Sequence, residues 1–225
     1  MKKSKATCFL FVLVCLFSLL QTGNVLSEAT PAPQRTDPLP SAGERWFFDI
    51  DQDNSIITFF LKGNVHDTLG SPKEIFAGVF TDISPRGTLA GGGVRIKINA
   101  ADLDTKDAGR DKRMKKKFLE VNKYPEIIFN STGIKSSDLP AKPLDSITKD
   151  NPLQFELSGA LTIHGVSRKI SLGVNVYFFA DKLIAEGSTT LVLQDYSIKN
   201  PSFLFFRTDD LVTIEFHIEM TKKDA

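Results

Sequence analysis

Apolar and polar residues alternate along most of this chain. In 94–100 (VRIKINA), Val94, Ile96, Ile98 and Ala100 share one face, while Arg95, Lys97 and Asn99 take the other. The stretch 155–163 sets Phe155, Leu157, Leu161 and Ile163 against Glu156, Ser158 and Thr162. Ile170, Leu172, Val174, Val176 and Phe178 oppose Lys169, Ser171 and Asn175. Val212, Ile214, Phe216, Ile218 and Met220 oppose Thr213, Glu215, His217 and Glu219. Successive side chains of a strand point to opposite faces, so each run has one dry and one wet face. Runs at 55–65, 74–83, 125–131 and 183–193 bring the count to eight strands, with a short ninth at 46–50. His164-Gly165, with Ser167 close by, marks a tight hairpin. Gly63, Gly78, Gly159 and Gly187 fall inside strands and predict bends or bulges, while Gly91 to Gly93 read as a flexible turn. Many one-faced strands without a second covering layer predict an all-β domain, a closed barrel or a sandwich.

One segment breaks the pattern. Residues 104–129 open with seven basic residues by position 117 (Lys106, Arg110, Lys112, Arg113, Lys115, Lys116 and Lys117), packed around an Arg110-Asp111 pair. Phe118-Leu119 follows, and then Tyr124-Pro125 opens an apolar strand. Good helix formers after Asp104 and Thr105 predict a short helical insert capped by one of those two residues, with Pro125 ending it. A charge run of this kind is most simply a solvated face. Its functional alternative is a lid over the barrel mouth, with cations facing an anionic head group or membrane surface. Arg110 is the leading candidate, because a planar guanidinium grips phosphate or carboxylate at two points. Asp111 cannot help to bind an anion, so its expected role is structural, pairing with a strand residue or capping the turn.

The N-terminus alters the picture of compartment. Lys2, Lys3 and Lys5 precede an apolar core at 8–20 that is shorter than the roughly 20 residues a spanning helix needs. We therefore expect an export signal over 1–27, cleaved after Ser27 or Ala29, and a periplasmic or secreted protein. Both cysteines, Cys8 and Cys15, lie in that signal, so the mature chain has no disulfide or thiolate chemistry. Cleavage removes three of the 28 basic residues and none of the 27 acids, turning a net charge of +1 into −2. A chain of that charge is not a general polyanion binder, and no nucleic-acid partner is expected. Residues 28–45 carry four prolines and few large apolar groups, the composition of a disordered leader. A single domain should then run from 46 to 221.

Catalytic and metal signatures are sparse. The three histidines, His66, His164 and His217, have no neighbour at metal-ligand spacing. No Gly-x-Ser-x-Gly elbow or phosphate-binding glycine loop occurs. No metal, no cofactor and no catalytic residue is assigned, and the chain is read as a non-enzyme. A hydrolase assembled from loop residues is the alternative that sequence leaves open, since triads are recognised in space.

Two stretches carry a family likeness. The order Thr105, Arg110, Asp111, Phe118, Leu119, Tyr124, Pro125, followed by GALTIHGVSRKISLGV at 159–174, resembles the YceI-like family across about Trp46 to Thr221. The resemblance implies a single antiparallel lipocalin-like β-barrel of about eight strands with a short helical insert. It further implies an apolar tunnel holding a polyisoprenoid or similar long-chain lipid, for storage or transport. An eight-stranded barrel is otherwise either just filled by its own side chains or open to one small ligand. The filled alternative would suit an envelope stress or interaction module with no lipid. On the tunnel reading, the lining comes from Phe59, Leu61, Ile96, Ile98, Phe118, Phe129, Phe155, Leu157, Leu161, Val176, Phe178, Leu191, Ile214 and Phe216. The head group would meet Arg110, His66 and Tyr124, with a membrane surface as a transient partner. Family members often carry a histidine closely followed by Gly-x-Phe. Here His66 is separated from Gly78-Val79-Phe80 by the longer link DTLGSPKEIFA, which reshapes the mouth nearby.

Overall fold

The computed structural model describes residues 43–179, 182–202 and 207–223. The expected export signal and most of the Pro-rich leader lie outside the described residues. Eleven strands follow in order: β1 (Arg45–Ile50), β2 (Ile56–Gly63), β3 (Thr68–Gly70), β4 (Phe76–Ile83), β5 (Leu89–Asn99), β6 (Glu126–Ser131), β7 (Ile134–Lys135), β8 (Leu153–Ile163), β9 (Val166–Phe179), β10 (Lys182–Val192) and β11 (Thr208–Lys222). The insert holds one helix, α1 (Ala108–Arg113), continued by a wider turn over Met114–Phe118. Among the described residues no helix is long and apolar enough to cross a membrane.

The strands close on themselves, and every pairing is antiparallel. The ring runs β1-β4-β5-β6-β8-β9-β10-β11 and returns to β1. Of the barrel and the sandwich, the barrel is the one formed. Closure leaves no exposed sheet edge around the ring. β11 is long enough to serve two partners, pairing with β2 over its first half and with β1 over its last residues. β1 and β2 thus form one wall edge bent at 51–55. Short β3 lies against β2, the element that the long link after His66 builds.

Alternation places the inner face as expected. Trp46, Phe48, Val79, Ile98, Phe129, Leu157, Leu161, Leu172, Val174, Ile218 and Met220 are all buried. One end is sealed by Ile83, Leu144, Ile147 and Leu153, each no more than 2% exposed. There the 132–152 connection folds inward, and Leu144 N–H donates to Gly87 O at 2.9 Å. His164 and Gly165 make the two-residue β8–β9 hairpin at the other end. Their φ values of 51° and 73° both lie in the left-handed region that such a turn requires.

The glycines correct the expectation of bends. Of the four glycines expected to bend strands, Gly78, Gly159 and Gly187 sit in unshifted stretches of their ladders, and Gly63 adjoins a register shift. Gly91 to Gly93 lie inside β5, beside a shift between Asp82 and Ile83, and form no turn. Inner glycines instead receive aromatic rings. A methyl group at Gly159 would lie 2.5 Å from the Phe129 ring, and one at Gly187 would lie 2.6 Å from Phe216 Cζ. Gly70 is packed in the same way by the ring of Phe59. Rings seated on glycines keep to the wall, around a cavity inside the barrel.

Candidate functional site

The bore is an apolar cavity of about 830 Å³. That volume falls in the upper part of the roughly 300–1,000 Å³ typical of ligand pockets. Phe59, Leu61, Ile96, Ile98, Phe118, Phe129, Phe155, Leu157, Leu161, Val176, Leu191, Ile214 and Phe216 all line it. Phe178 does not. It keeps the inward parity of β9 but lies past Val176, where its N–H donates to Ile147 O at the sealed end.

Polar and exposed lining residues gather at the opposite end. Asn64, His66, Asp107, Gly109, Arg113 and Arg207 are exposed and line the cavity there. This end is the mouth, and the insert stands over it. Leu103, Met114, Phe118 and Leu119 turn apolar groups from the insert onto the bore, while its lysines face outward.

The Arg110-Asp111 pair organises the insert from within. Asp111 Oδ1 accepts from Thr105 N–H at 3.0 Å and from Thr105 Oγ1 at 2.6 Å. Arg110 Nε donates to Thr105 Oγ1 at 2.8 Å, and Nη2 donates to Thr105 O at 2.7 Å. Thr105 is 4% exposed, so this triangle satisfies a buried polar residue on every side. Of its two expected roles, Asp111 fills the turn-fastening one. Arg110 lines the cavity, yet half its fork is committed to Thr105. The helix cap is Asp107, not Asp104 or Thr105, and its carboxylate accepts from Arg110 N–H at 2.9 Å. That bond, with the Arg110 charge behind it, holds the Asp107 carboxyl below its usual range. The helix ends well before Pro125, and Glu120 turns the chain with φ of 45°.

Two tethers bind the insert to the barrel. Ser71 and Asp104 exchange backbone hydrogen bonds of 3.0 and 2.8 Å, joining the link after β3 to the start of the insert. At the other side, His164 Nε2 lies 2.8 Å from Glu120 Oε2, and its Nδ1 lies 3.3 Å from Tyr196 O. Tyr124 stacks edge-on against the His164 ring at 4.5 Å and covers Gly165. It is therefore rim structure and does not line the cavity, contrary to the expected head-group contact. His66 is exposed at the mouth.

The alternation pattern missed several lining groups, among them Thr81, Thr189, Tyr196, Asn64 and Arg207. Tyr196 ends a short 3-10 turn at Leu193–Tyr196, where period two no longer applies. It is 2% exposed, and burial pushes its phenol upward, with Asp195 adding to the shift. Among the described residues, its Oη and the Thr81 Oγ1 are buried and have no hydrogen-bond partner. Among the described residues, no group of three or more His, Cys, Asp or Glu could hold a metal ion.

A closed antiparallel barrel with an apolar bore and a basic insert over its mouth defines the class. The sequence profile of the YceI-like domain matches residues 48–220, and the chain belongs to the YceI-like family. It is similar to a UPF0312 protein of Pseudomonas aeruginosa, 30% identical over 113 residues. The match covers 47% of this chain and 52% of that protein, so the chain spans about half the length of such curated relatives. Burkholderia cenocepacia BcnA superposes with a TM-score of 0.61 at 20% identity, covering 76% of this chain and 99% of that one. A polyisoprenoid binding domain from Saccharophagus degradans, implicated in plant cell wall breakdown, gives 0.56 at 16% identity over 79% of this chain and 98% of that one. At these identities the two structures establish the shared fold.

Proposed function

We propose that this protein binds one long-chain amphiphilic lipid, a polyisoprenoid or similar, and stores or carries it in the periplasm. The single observation that carries the reading is the bore itself, about 830 Å³ of apolar space sealed at one end and open beneath the insert. A tail placed there gains roughly 0.8 kcal/mol per buried methylene. Ordering a flexible chain offsets much of that gain. An apolar wall discriminates poorly between tails that differ by a methylene, so the reading names a class of ligand. The polyisoprenoid binding of the Saccharophagus domain, which shares this barrel, supports the same class. The N-terminal sequence supports an exported protein. Exposed Val65 and Leu69 in the link after β2, together with the exposed lysines of the insert, are suited to brief contact with an anionic membrane surface during loading.

Mass spectrometry of protein gently purified from the cell envelope tests this reading. We expect a long-chain amphiphile at one copy per chain. After delipidation, a prenyl or long acyl probe should reload from vesicles to the same ratio. Protein that carries no lipid and takes up none from vesicles would remove the proposal.

A further inference from the structure

The bore is blind, and its floor can be placed strand by strand. Along β8 the lining runs as far as Phe155 and stops before Leu153, the next inward residue. Along β9 it stops between Val176 and Phe178, and along β4 between Thr81 and Ile83. Behind that limit Ile83, Leu144, Ile147 and Leu153 form a layer that is almost wholly buried. The layer is tied to the wall at several points. Phe178 N–H donates to Ile147 O at 3.2 Å, and Leu144 N–H donates to Gly87 O at 2.9 Å. Lys142 Nζ donates to Asn151 Oδ1 at 2.7 Å and to Pro152 O at 2.9 Å. A close-packed layer of this kind does not admit extra methylenes without strain. Sideways expansion is resisted as well, because hydrogen-bonded ladders close the ring of strands. At the other end the lining includes Arg110, Arg113 and Arg207, together with Asp107, Asn64 and His66. The polar end of a ligand therefore belongs at the mouth, and its tail points to the floor.

We propose that this floor acts as a ruler, limiting the tail to about 30 carbons, or about six isoprene units, and excluding longer polyisoprenoids. The inference rests on the carrier reading above and adds the size of the tail. The limit follows from volume. A dry apolar cavity of about 150 Å³ takes up one benzene, which is roughly 25 Å³ for each carbon. At that density a bore of about 830 Å³ holds about 33 carbons, and this is an upper bound because the space includes the mouth. A longer tail leaves its remaining carbons in water outside the barrel. Each methylene left there weakens binding roughly fourfold relative to one that is buried. Length is thus selected sharply at the floor, although the apolar wall discriminates poorly among tails that fit.

The test presents delipidated full-length protein with phosphatidylcholine vesicles that hold prenyl alcohols of three, four, six, eight or eleven isoprene units. Mass spectrometry reads the fraction of each transferred to the protein. Passage from bilayer to bore exchanges one apolar surrounding for another, so tails within capacity should transfer to comparable extents. We expect transfer to fall by more than about tenfold between six and eight units. Ala185→Phe moves the limit. Ala185 lines the bore on β10, opposite Val176 and Ile218, and the added ring takes the space of about six carbons. The fall should then come between four and six units. Ser188→Phe adds the same ring at an exposed position of the same strand and should leave the fall where it is in wild type. Equal transfer of six and eight units by wild type overturns the inference, as does a fall already before six units. A fall that Ala185→Phe leaves in place, or that both variants move alike, overturns it too. The wild-type series decides the matter even where a ring variant fails to fold. Each of these outcomes leaves the carrier reading standing, whereas uptake of no probe by wild type removes both.

Discussion

Phe216 and Gly187 stand directly opposite each other on β11 and β10, and the ring fills the place where the glycine has no side chain. The same arrangement recurs where Phe59 meets Gly70 across β2 and β3, and Phe129 covers Gly159 diagonally from its place opposite Leu161. Bulky aromatics usually fill a barrel of eight strands. Here each glycine lets a ring lie along the wall, so apolar surface lines the bore without occupying it.

Gly187→Ala should therefore cost both stability and capacity. The added methyl group would meet Gly173 O as well as the Phe216 ring, so neither backbone nor side chain can yield freely. We expect a loss of about 1–3 kcal/mol in denaturant unfolding, typical of overpacking, together with weaker binding of long-chain probes. Gly173→Ala is the control, since a methyl group there meets nothing within 4 Å. Its effect on stability should stay within about 0.5 kcal/mol. Equal losses from the two substitutions would contradict the role of the ring seat.

Asp111→Ala should loosen the insert without opening the barrel. The substitution strips Thr105 of the acceptor for its N–H and its hydroxyl, both buried. Leaving such groups unpaired costs about 1–3 kcal/mol. Hydrogen exchange should show faster opening across 104–114 and unchanged protection in β8 and β9. Protection lost evenly over the whole domain would mean that the triangle supports the global fold instead.

Much of the barrel was legible because period-two alternation is a strong signal where one face is dry and the other wet. Ile96, Phe155 and Ile214 could be assigned to the dry inner face on that basis, while the open bore behind it was implied only by the family resemblance. β3 and β7 escaped notice, being too short to alternate. Asp107 does not stand out as the cap, because Asp104 and Thr105 offer the same chemistry earlier in the chain. Phe178 shares the parity of Val176, yet parity says nothing about how far along the axis the cavity extends. Tyr196 and the Phe-Gly seats depend on cross-strand register and on a 3-10 turn, and neither leaves a periodic trace.

Acid should weaken the seam where the ring closes. Lys182 Nζ bonds Asp51 Oδ2 at 2.8 Å and Glu219 Oε2 at 2.9 Å, tying β10 to β11 and to the bend after β1. The Lys182 bond draws the Asp51 carboxyl from 3.8 down to about 2, with Asn54 adding to the shift. The same lysine, helped by His217, keeps Glu219 below its ordinary value, and the two carboxylates raise Lys182. A carboxylate whose folded value is depressed stabilises the native state above its ordinary value and loses that contribution as pH falls through the folded one. For Asp51 the window lies between 3.8 and about 2. Asp51→Asn should lower the melting temperature at neutral pH, and its gap from wild type should close as pH approaches about 2. A gap independent of pH would place the effect of Asp51 outside ion pairing.

Glu120→Gln tests whether the insert gates the mouth. His164 stands between Glu120 Oε2 at 2.8 Å and Tyr196 O at 3.3 Å, and its side chain is only 9% exposed. A carboxylate can only accept, so the 2.8 Å contact has Nε2–H donating to Glu120. Glutamine keeps the length and the oxygen of Glu120 but removes its charge, so the tether at this side of the insert should weaken while the bore stays intact. If lipid passes beneath the insert, both loading and release of a long-chain probe should accelerate several-fold. The equilibrium constant should change little, because a gate alters the barrier and not the bound state. Stopped-flow transfer between vesicles and protein reads both rates. Slower loading with faster release would instead identify Glu120 as part of the binding surface, and unchanged rates would route the lipid past another part of the rim.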